Sequence, residues 1–286
     1  MNRFFHNYLI CSVIFCLYNQ ISEVNALFGD NVREAKKREF SFVTLIKVRD
    51  AQDAAKYKYC SGALISKRHI LTAAQCLPDE DQRVHNINVC IGSSSSSECK
   101  NYESRTWITY NRWANSKNFI HEFDINDIAI ITLKKEVAES LSIKPAKISE
   151  QRKDEMYKWV VRLAGWGVMV PTHGPMVLKT SAVKVMTKDN CDLIDHNGSY
   201  YLGKVVLCTY AVPETSLNDA DMGGPLFYED KIVAVNVGQR NLQFPNSDDS
   251  TLIGVHVSTD YYRGFIQDVL QSPVKKVFMK DSHFDA

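Results

Sequence analysis

The stretch CSGALISKRHILTAAQC, residues 60–76, contains two short runs of apolar and β-branched residues on either side of a polar turn. Runs of this kind, bounded by turn residues, are typical of neighbouring β-strands. Ten further runs lie between residues 41 and 258. They are SFVTLIKV (41–48), INVCIG (87–92), RTWITY (105–110), DIAIITL (127–133), KWVVRLAGWG (158–167), TSAVKVM (180–186), VVLCTY (205–210), PLFY (225–228), KIVAVNVG (231–238) and IGVHVS (253–258). Twelve strand candidates predict an all-β fold, either a sandwich or a pair of barrels.

The twelve candidates divide into two groups of six, separated by a Lys/Glu-rich stretch at about residues 134–158. This division predicts a first barrel at about 40–133 and a second at about 159–257. After the last strand, STDYYRGFIQDVL (258–270) begins with helix-start residues and continues with apolar residues at helical spacing. We therefore expect one folded domain over 27–271 that ends in a C-terminal α-helix, followed by a tail at 272–286.

The first 26 residues have the features of a secretory signal. Arg3 precedes an apolar run over 8–18, and small residues occupy the cleavage-site positions Val24 and Ala26. A membrane anchor is the alternative, but this run is too short to span a bilayer. With 34 basic and 33 acidic residues, the net charge is +1. Nothing in this balance points to nucleic acid or to an anionic membrane surface. We expect an extracellular protein.

Removal of the signal leaves six of the eight cysteines. An even number in a secreted chain predicts disulfide bonds. Cys90 and Cys99 flank a serine run at 93–97, which favours a flexible loop closed by a local disulfide; the alternative is two free thiols. Asn197 begins an Asn-Gly-Ser motif and is a candidate glycosylation site. The histidines show no spacing typical of metal ligands, so we expect no metal and no cofactor.

Four segments occur in an order that is known from one enzyme family. CSGALISKRHILTAAQC (60–76), NDIAII (126–131), LAGWG (163–167) and DADMGGPLFY (219–228) resemble the signature segments of the trypsin and chymotrypsin family of serine peptidases. The resemblance covers nearly all of the mature chain. It implies two six-stranded antiparallel barrels with an active-site cleft between them, in agreement with the twelve strand candidates.

The resemblance also assigns the three catalytic positions of that family. Asp127 occupies the aspartate position, but Gln75 stands at the histidine position and Met222 at the serine position. A glutamine amide does not accept the nucleophile's proton, and a thioether has no proton to lose. Loss of such groups costs about 10⁴ to 10⁶ in turnover in related systems. The retained Asp127 is expected to bond backbone N–H groups of the neighbouring Thr-Ala-Ala turn.

Other positions of the family's site are changed as well. Ala220 stands where a glycine shapes the oxyanion hole, and its Cβ is expected to disfavour the required backbone conformation. Ser216 falls at the base of the substrate pocket, where serine would suit apolar side chains. Asn218 replaces a cysteine that ties the pocket wall. Residues 236–238, namely Asn236, Val237 and Gly238, resemble the strand that lines a substrate's backbone, so a peptide could still add there as a strand.

Two further cysteine pairs follow from the resemblance. Cys60 with Cys76 matches the family's first disulfide, and Cys191 with Cys208 matches one in the C-terminal barrel. Each bond is expected to stabilise the fold by about 2 to 4 kcal/mol.

The family's maturation site is absent from the region before the first strand. No tryptic cut site precedes an Ile-Val-Gly-Gly tetrapeptide, but LFGD (27–30) aligns with that tetrapeptide if two extra residues are allowed. Leu27 is also the residue that signal cleavage after Ala26 exposes. We hypothesise that the Leu27 amine is buried and pairs with Asp221, an acid that would be costly to bury unpaired. The alternative is that Asp221 simply bonds nearby backbone.

These features predict a secreted serine protease homologue that binds proteins or peptides without cleaving them. Active serine peptidases and their substrates are the expected partners, in an extracellular proteolytic or defence cascade that the protein would modulate as a decoy or cofactor. Two alternatives remain open. One is an active endopeptidase with an unconventional site, and the other is an interaction protein that docks through surface loops.

Overall fold

The computed structural model describes residues 27–50, 53, 55–78, 87–119, 126–167, 174–193, 202–243 and 250–272. The predicted signal at 1–26, the glycosylation candidate Asn197 and the tail beyond residue 272 lie outside these ranges. In the described part of the chain, no helix is both long and apolar enough to cross a membrane.

The first barrel consists of six antiparallel strands. A two-residue strand, β1 (Arg33–Glu34), precedes it. Its own strands are β2 (Val43–Arg49), β3 (Tyr57–Leu64), β4 (His69–Thr72), β5 (Ile87–Ile91), β6 (Lys100–Thr109) and β7 (Ala129–Leu133). They follow the order β2-β3-β4-β7-β6-β5, and the pairing of β2 with β5 closes the barrel. Strand β7 is buried along its whole length, which explains its nearly continuous apolar sequence.

The second barrel is also closed and antiparallel. A short strand, β8 (Lys147–Ile148), leads into β9 (Val160–Gly165), β10 (Lys179–Val185), β11 (Val206–Tyr210), β12 (Pro225–Tyr228), β13 (Lys231–Gln243) and β14 (Ser250–Ser258). The order is β9-β10-β11-β14-β13-β12, and β12 pairs back to β9 to close the ring. Strand β1 joins the edge of β10, and β8 pairs in parallel with β13. The predicted pair of six-stranded barrels is confirmed, with all twelve strand candidates present.

Four helices complete the described fold: α1 (Tyr110–Ser116), α2 (Lys188–Asp192), α3 (Leu202–Val205) and α4 (Arg263–Gln271). Helix α4 is the predicted C-terminal helix, and it buries Phe265, Ile266 and Val269 as the sequence spacing requires. It packs on α1, where Trp113 Nε1 donates to Asp268 Oδ2 at 2.7 Å. The sequence predicts no helix at α1; the Thr109 side chain caps its first turn by accepting from the Arg112 N–H.

The two barrels meet along a polar and an aromatic contact that together position the cleft. Phe42 of the first barrel packs edge to face on Phe227 of the second, with ring centroids 5.2 Å apart. Close by, the buried Ser61 hydroxyl donates to the Ala220 carbonyl at 2.7 Å and accepts from the Trp166 N–H at 3.0 Å. Strand β3 is therefore fixed against the turn that precedes β12, and this turn carries Met222.

The structure contains the three disulfides Cys60–Cys76, Cys90–Cys99 and Cys191–Cys208. The first joins β3 to the short 3₁₀ turn Ala74–Cys76, so it fixes the backbone on both sides of Gln75. The second closes the serine-rich loop after β5. The third ties α2 to β11.

Candidate functional site

Gln75 is the middle residue of the 3₁₀ turn Ala74–Cys76, which the Cys60–Cys76 bond holds against the first barrel. Its side-chain nitrogen Nε2 donates to Asp127 Oδ2 at 2.5 Å and to the Val237 carbonyl at 2.9 Å. Both hydrogens of the amide are therefore engaged, one on each barrel. The side chain acts as a bridge across the cleft floor, and it presents no group that titrates.

Asp127 follows the loop before β7 and supports the same turn. Its Oδ1 accepts from the Gln75 backbone N–H at 2.8 Å. The Ala74 backbone also bonds this carboxylate, which confirms the predicted bond to the Thr-Ala-Ala turn. Burial raises the pKa of Asp127, while the hydrogen bonds from Gln75 and the Ala74 backbone, and the nearby charge of Lys58, oppose that rise. The carboxylate therefore has a structural task that needs no histidine.

Met222 ends a second 3₁₀ turn, Asp219–Asp221. Its carbonyl accepts from the Ser61 N–H at 2.9 Å, and its own N–H donates to the Asp219 carbonyl at 3.2 Å. In this fold the N–H at the Met222 position would be needed to stabilise an oxyanion. The turn itself uses this N–H, because the N–H is bonded to the Asp219 carbonyl. We call this arrangement the closed turn. Ala220 is fully buried at its centre.

A cavity of about 760 Å³ opens beside Gln75 and Met222. Tyr57, Lys58 and Tyr59 of β3 line its far wall. Lys58 is tied to the site because its Nζ donates to the Gln75 carbonyl at 2.5 Å. The sequence-level interpretation missed these three residues, since only the barrel closure brings β3 next to the site. The cavity is large enough to take side chains of a docked segment.

Strand β13 brings residues 236–238 to the cleft. Asn236 is fully buried, and its Oδ1 lies 2.7 Å from the His256 ring nitrogen Nδ1. Val237 supplies the carbonyl that Gln75 binds. Gly238 faces open space, since an added Cβ would meet nothing closer than Arg240 Nη1 at 3.8 Å. A peptide backbone could therefore approach β13 at Gly238.

Ser216 faces β13 from the opposite side. Both polar atoms of the Gln239 side-chain amide lie within 3.4 Å of Ser216 Oγ. Gln239 Oε1 also accepts from the Leu217 N–H at 2.8 Å. Sequence reasoning missed Gln239 because it ended this strand at Gly238, whereas β13 continues to Gln243. Asn218, in the place of the missing cysteine, accepts a hydrogen bond from the Asp221 N–H in a capping box.

The amino-terminal segment lies where the hypothesis put it. Leu27 is 1% exposed, and its N lies 3.2 Å from Oδ2 of the fully buried Asp221. Phe28 pairs with Ser216 through two backbone hydrogen bonds of 3.0 and 2.7 Å, which fixes the register of the segment. Asp221 Oδ2 also accepts from the Asn218 N–H at 2.9 Å. Both predicted kinds of partner, the Leu27 nitrogen and nearby backbone, are thus present.

Burial raises the pKa of Asp221 to about 7, although backbone N–H groups of Asn218, Leu27 and Gly167, and the charge of Lys179, oppose the rise. The backbone N–H groups and Lys179 together therefore leave the ionised carboxylate poorly compensated. A full positive charge on Leu27, created by cleavage before it, would compensate it.

Among the described residues, no group of three His, Cys, Asp or Glu side chains is arranged to hold a metal ion. The site consists of amide, carboxylate, hydroxyl and thioether groups. These groups lie in the cleft between the two barrels.

Comparison with known proteins agrees with this geometry. The family model for trypsin matches residues 30–266. The chain belongs to the trypsin family. Spermosin from Halocynthia roretzi is 27% identical over 172 residues, which cover 59% of this chain and 43% of spermosin. Hypodermin-B from Hypoderma lineatum is 22% identical over 218 residues, 76% of this chain and 79% of hypodermin-B. The chain thus matches less than half of the length of spermosin.

A solved structure shares the trypsin-family fold. It is that of neuropsin, a serine protease expressed in the limbic system of mouse brain. The TM-score is 0.61 at 18% identity, and the match covers 84% of this chain and 99% of neuropsin. At this identity the likeness concerns the fold, which is the two-barrel architecture described above.

Proposed function

We propose that the protein is a secreted, non-catalytic member of the trypsin family that binds proteins or peptides in its cleft. In this role it modulates an extracellular proteolytic or defence cascade as a decoy or cofactor. The observation that carries the proposal is the Gln75 amide, which donates both hydrogens to Asp127 and Val237 and offers no basic nitrogen. A peptidase of this family needs a base at this point to take the nucleophile's proton.

The residue at the nucleophile position is also unsuited to catalysis. Met222 offers a thioether, which does not form an acyl intermediate. Its N–H is bonded to the Asp219 carbonyl rather than free to stabilise an oxyanion. Base, nucleophile and one oxyanion donor are thus absent together, and their losses would not be repaired by one substitution.

Binding, by contrast, needs only the shape of the cleft. The cavity of about 760 Å³ beside Met222 and the open approach to Gly238 support it. A segment that lies across both would be held by backbone hydrogen bonds and by side-chain contacts with Tyr57 and Tyr59. Such a segment would remain uncut, which is what a decoy or cofactor requires.

The proposed location of the protein is extracellular. The signal features over 1–26 support it, and so do the three disulfides, because such bonds persist in oxidising compartments. The near-zero net charge favours partners that are proteins rather than nucleic acid or an anionic membrane.

Two tryptophan variants of the mature protein, residues 27–286, test the proposal. Gly238→Trp blocks the cleft, and Gly264→Trp is the matched control, because an added Cβ at Gly264 meets nothing within 4 Å. Each protein is added to active trypsin-family peptidases acting on protein substrates, and the cleavage rate is measured. We expect the wild type and Gly264→Trp to change the rate of at least one pair, and Gly238→Trp to have no effect.

Turnover by the pure protein is measured in parallel with a fluorogenic peptide library and a fluorophosphonate label. We expect neither hydrolysis nor labelling. Hydrolysis that survives repurification would overturn the non-catalytic assignment. Equal effects of all three proteins on the peptidases would instead place the partner on surface loops and refute the role of the cleft.

A further inference from the structure

The family resemblance places Ser216 at the base of the primary pocket and Gly238 on the strand beside it. In the register of β13 and β14, Gly254 lies opposite Gln239. In an open pocket of this kind, a bound segment inserts one side chain between these positions. In this structure, side chains of the protein itself lie next to these positions: Gln239 at Ser216 and His256 at Gly254. This feature concerns the pocket itself and goes beyond the proposed function.

The Gln239 side chain extends from β13 to Ser216 and Leu217. Its Oε1 accepts from the Leu217 N–H at 2.8 Å, and its Nε2 donates to Ser216 Oγ at 3.3 Å. The Gln239 amide thus reaches Ser216 at the pocket base and accepts a hydrogen bond from the backbone of Leu217. A hydrogen-bonded amide of this kind is displaced only by a group that replaces its bonds.

The space next to Gly254 is also filled, by the side chains of His256 and Thr209. An added Cβ at Gly254 would meet His256 Nε2 and Thr209 Oγ1, both at 2.9 Å. The His256 ring is fully buried between Thr209 and Asn236, with 2.7 Å contacts at both of its nitrogens. The absence of a side chain at Gly254 therefore leaves no space for a ligand, because the imidazole takes it.

We infer that Gln239 is a built-in occupant of the primary pocket, and that a partner bound in the cleft does so without inserting a side chain there. Recognition then rests on the open strand at Gly238 and on the cavity beside Met222. Without Gln239, the pocket would accept a neutral aromatic or apolar group, since Ser216 at its base carries no charge.

Indole, a neutral aromatic probe, tests this assignment on the mature protein. The variants are Gln239→Gly, which empties the pocket, and Gln239→Ala, which keeps a methyl group. Arg240→Ala is the control on the next, exposed residue of β13. Ligand-observed NMR titration measures affinity, and thermal unfolding verifies that each variant is folded.

We expect Gln239→Gly to bind indole with a Kd of about 1 mM. The wild type and Arg240→Ala should bind at least about thirtyfold more weakly, because the probe must first displace the two hydrogen bonds of the amide. Adding Ser216→Phe to Gln239→Gly should remove the gain, which places the probe in the pocket. Equal affinity of the wild type and Gln239→Gly, or no gain in folded Gln239→Gly and Gln239→Ala, would overturn the inference. Neither outcome depends on whether the cleft has a protein partner.

Discussion

Adding one glycine before Leu27 in the mature protein should lower its thermal stability at neutral pH. Leu27 N lies 3.2 Å from Asp221 Oδ2, and both residues are buried. The two backbone hydrogen bonds between Phe28 and Ser216 prevent the segment from sliding outward by one residue. An extra residue, about 3.8 Å long, therefore moves the terminal ammonium away and leaves an uncharged N–H beside the carboxylate.

The magnitude follows from the carboxyl group. With an uncharged N–H at Leu27, the pKa of Asp221 is raised from 3.8 to about 7. When folding raises the pKa of a carboxyl group, the protonated group stabilises the folded protein below about pH 4. This stabilisation is lost as the pH rises through about 7. The loss amounts to about 4 kcal/mol near pH 7, which corresponds to about 10 °C in Tm for a domain of this size. We predict that an ammonium group at Leu27, created by cleavage after Ala26, offsets this loss.

Calorimetry at pH 4.5 and pH 7.5 measures the effect. The mature protein and its glycine-extended form are compared, each also with Asp221→Asn, which keeps the shape and removes the charge. We expect a gap of about 10 °C at pH 7.5, a much smaller gap at pH 4.5, and none with Asp221→Asn. Other titrating groups are common to both forms and cancel. Equal Tm values at pH 7.5, or a gap that persists with Asp221→Asn, would refute the reasoning.

Three further predictions concern the site and its support. The double variant Gln75→His, Met222→Ser should hydrolyse a nitrophenyl ester at least about 100-fold more slowly than the triple variant that also carries Ala220→Gly. The reason is that the closed turn withholds an oxyanion donor. Equal rates would contradict this role of the turn. Asp127→Ala should lower the free energy of unfolding in urea by about 2 kcal/mol, since it leaves the Gln75 N–H unpaired, and Asp127→Asn should lose less. Burial lowers the pKa of His256 to about 3, so stability should fall by about 3 kcal/mol between pH 6.5 and pH 4, and His256→Gln should flatten this slope in pH-dependent urea unfolding.

The strands could be predicted from the sequence because barrel strands carry local signals. Apolar and β-branched runs separated by polar turns mark each strand, and both barrels bury these runs on an inner face. The C-terminal helix was predictable for the same reason, since Phe265, Ile266 and Val269 repeat with its period. Helix α1 was missed because Tyr110 and Trp113 favour strands. It forms because their rings pack against α4, a contact that the local sequence does not encode.

The site could be predicted in its positions but not in its bonds. Motifs place Gln75, Asp127 and Met222, because each lies next to a recognisable strand. The direction of an N–H or an amide depends on groups that are distant in the chain. The Gln75 bond to Val237 spans 162 positions, and the Gln239 contact with Ser216 spans 23. These partners are known only once the barrels have closed.

The polar groups of the cleft have structural partners, and this explains how the fold accommodates Gln75 and Met222. Asp127 holds the turn that carries Gln75, and Asp221 holds the amino-terminal segment. Asn236 orients the buried His256 ring. None of these bonds needs a histidine at position 75 or a serine at position 222. A buried polar group without a partner would cost about 1 to 3 kcal/mol, so removal of Asp127 or Asp221 would weaken the frame, whereas Gln75 and Met222 fit it without such a cost. The same reasoning explains why Gln75 is well suited to its place, because its amide bonds Asp127 and joins the two barrels through the Val237 carbonyl.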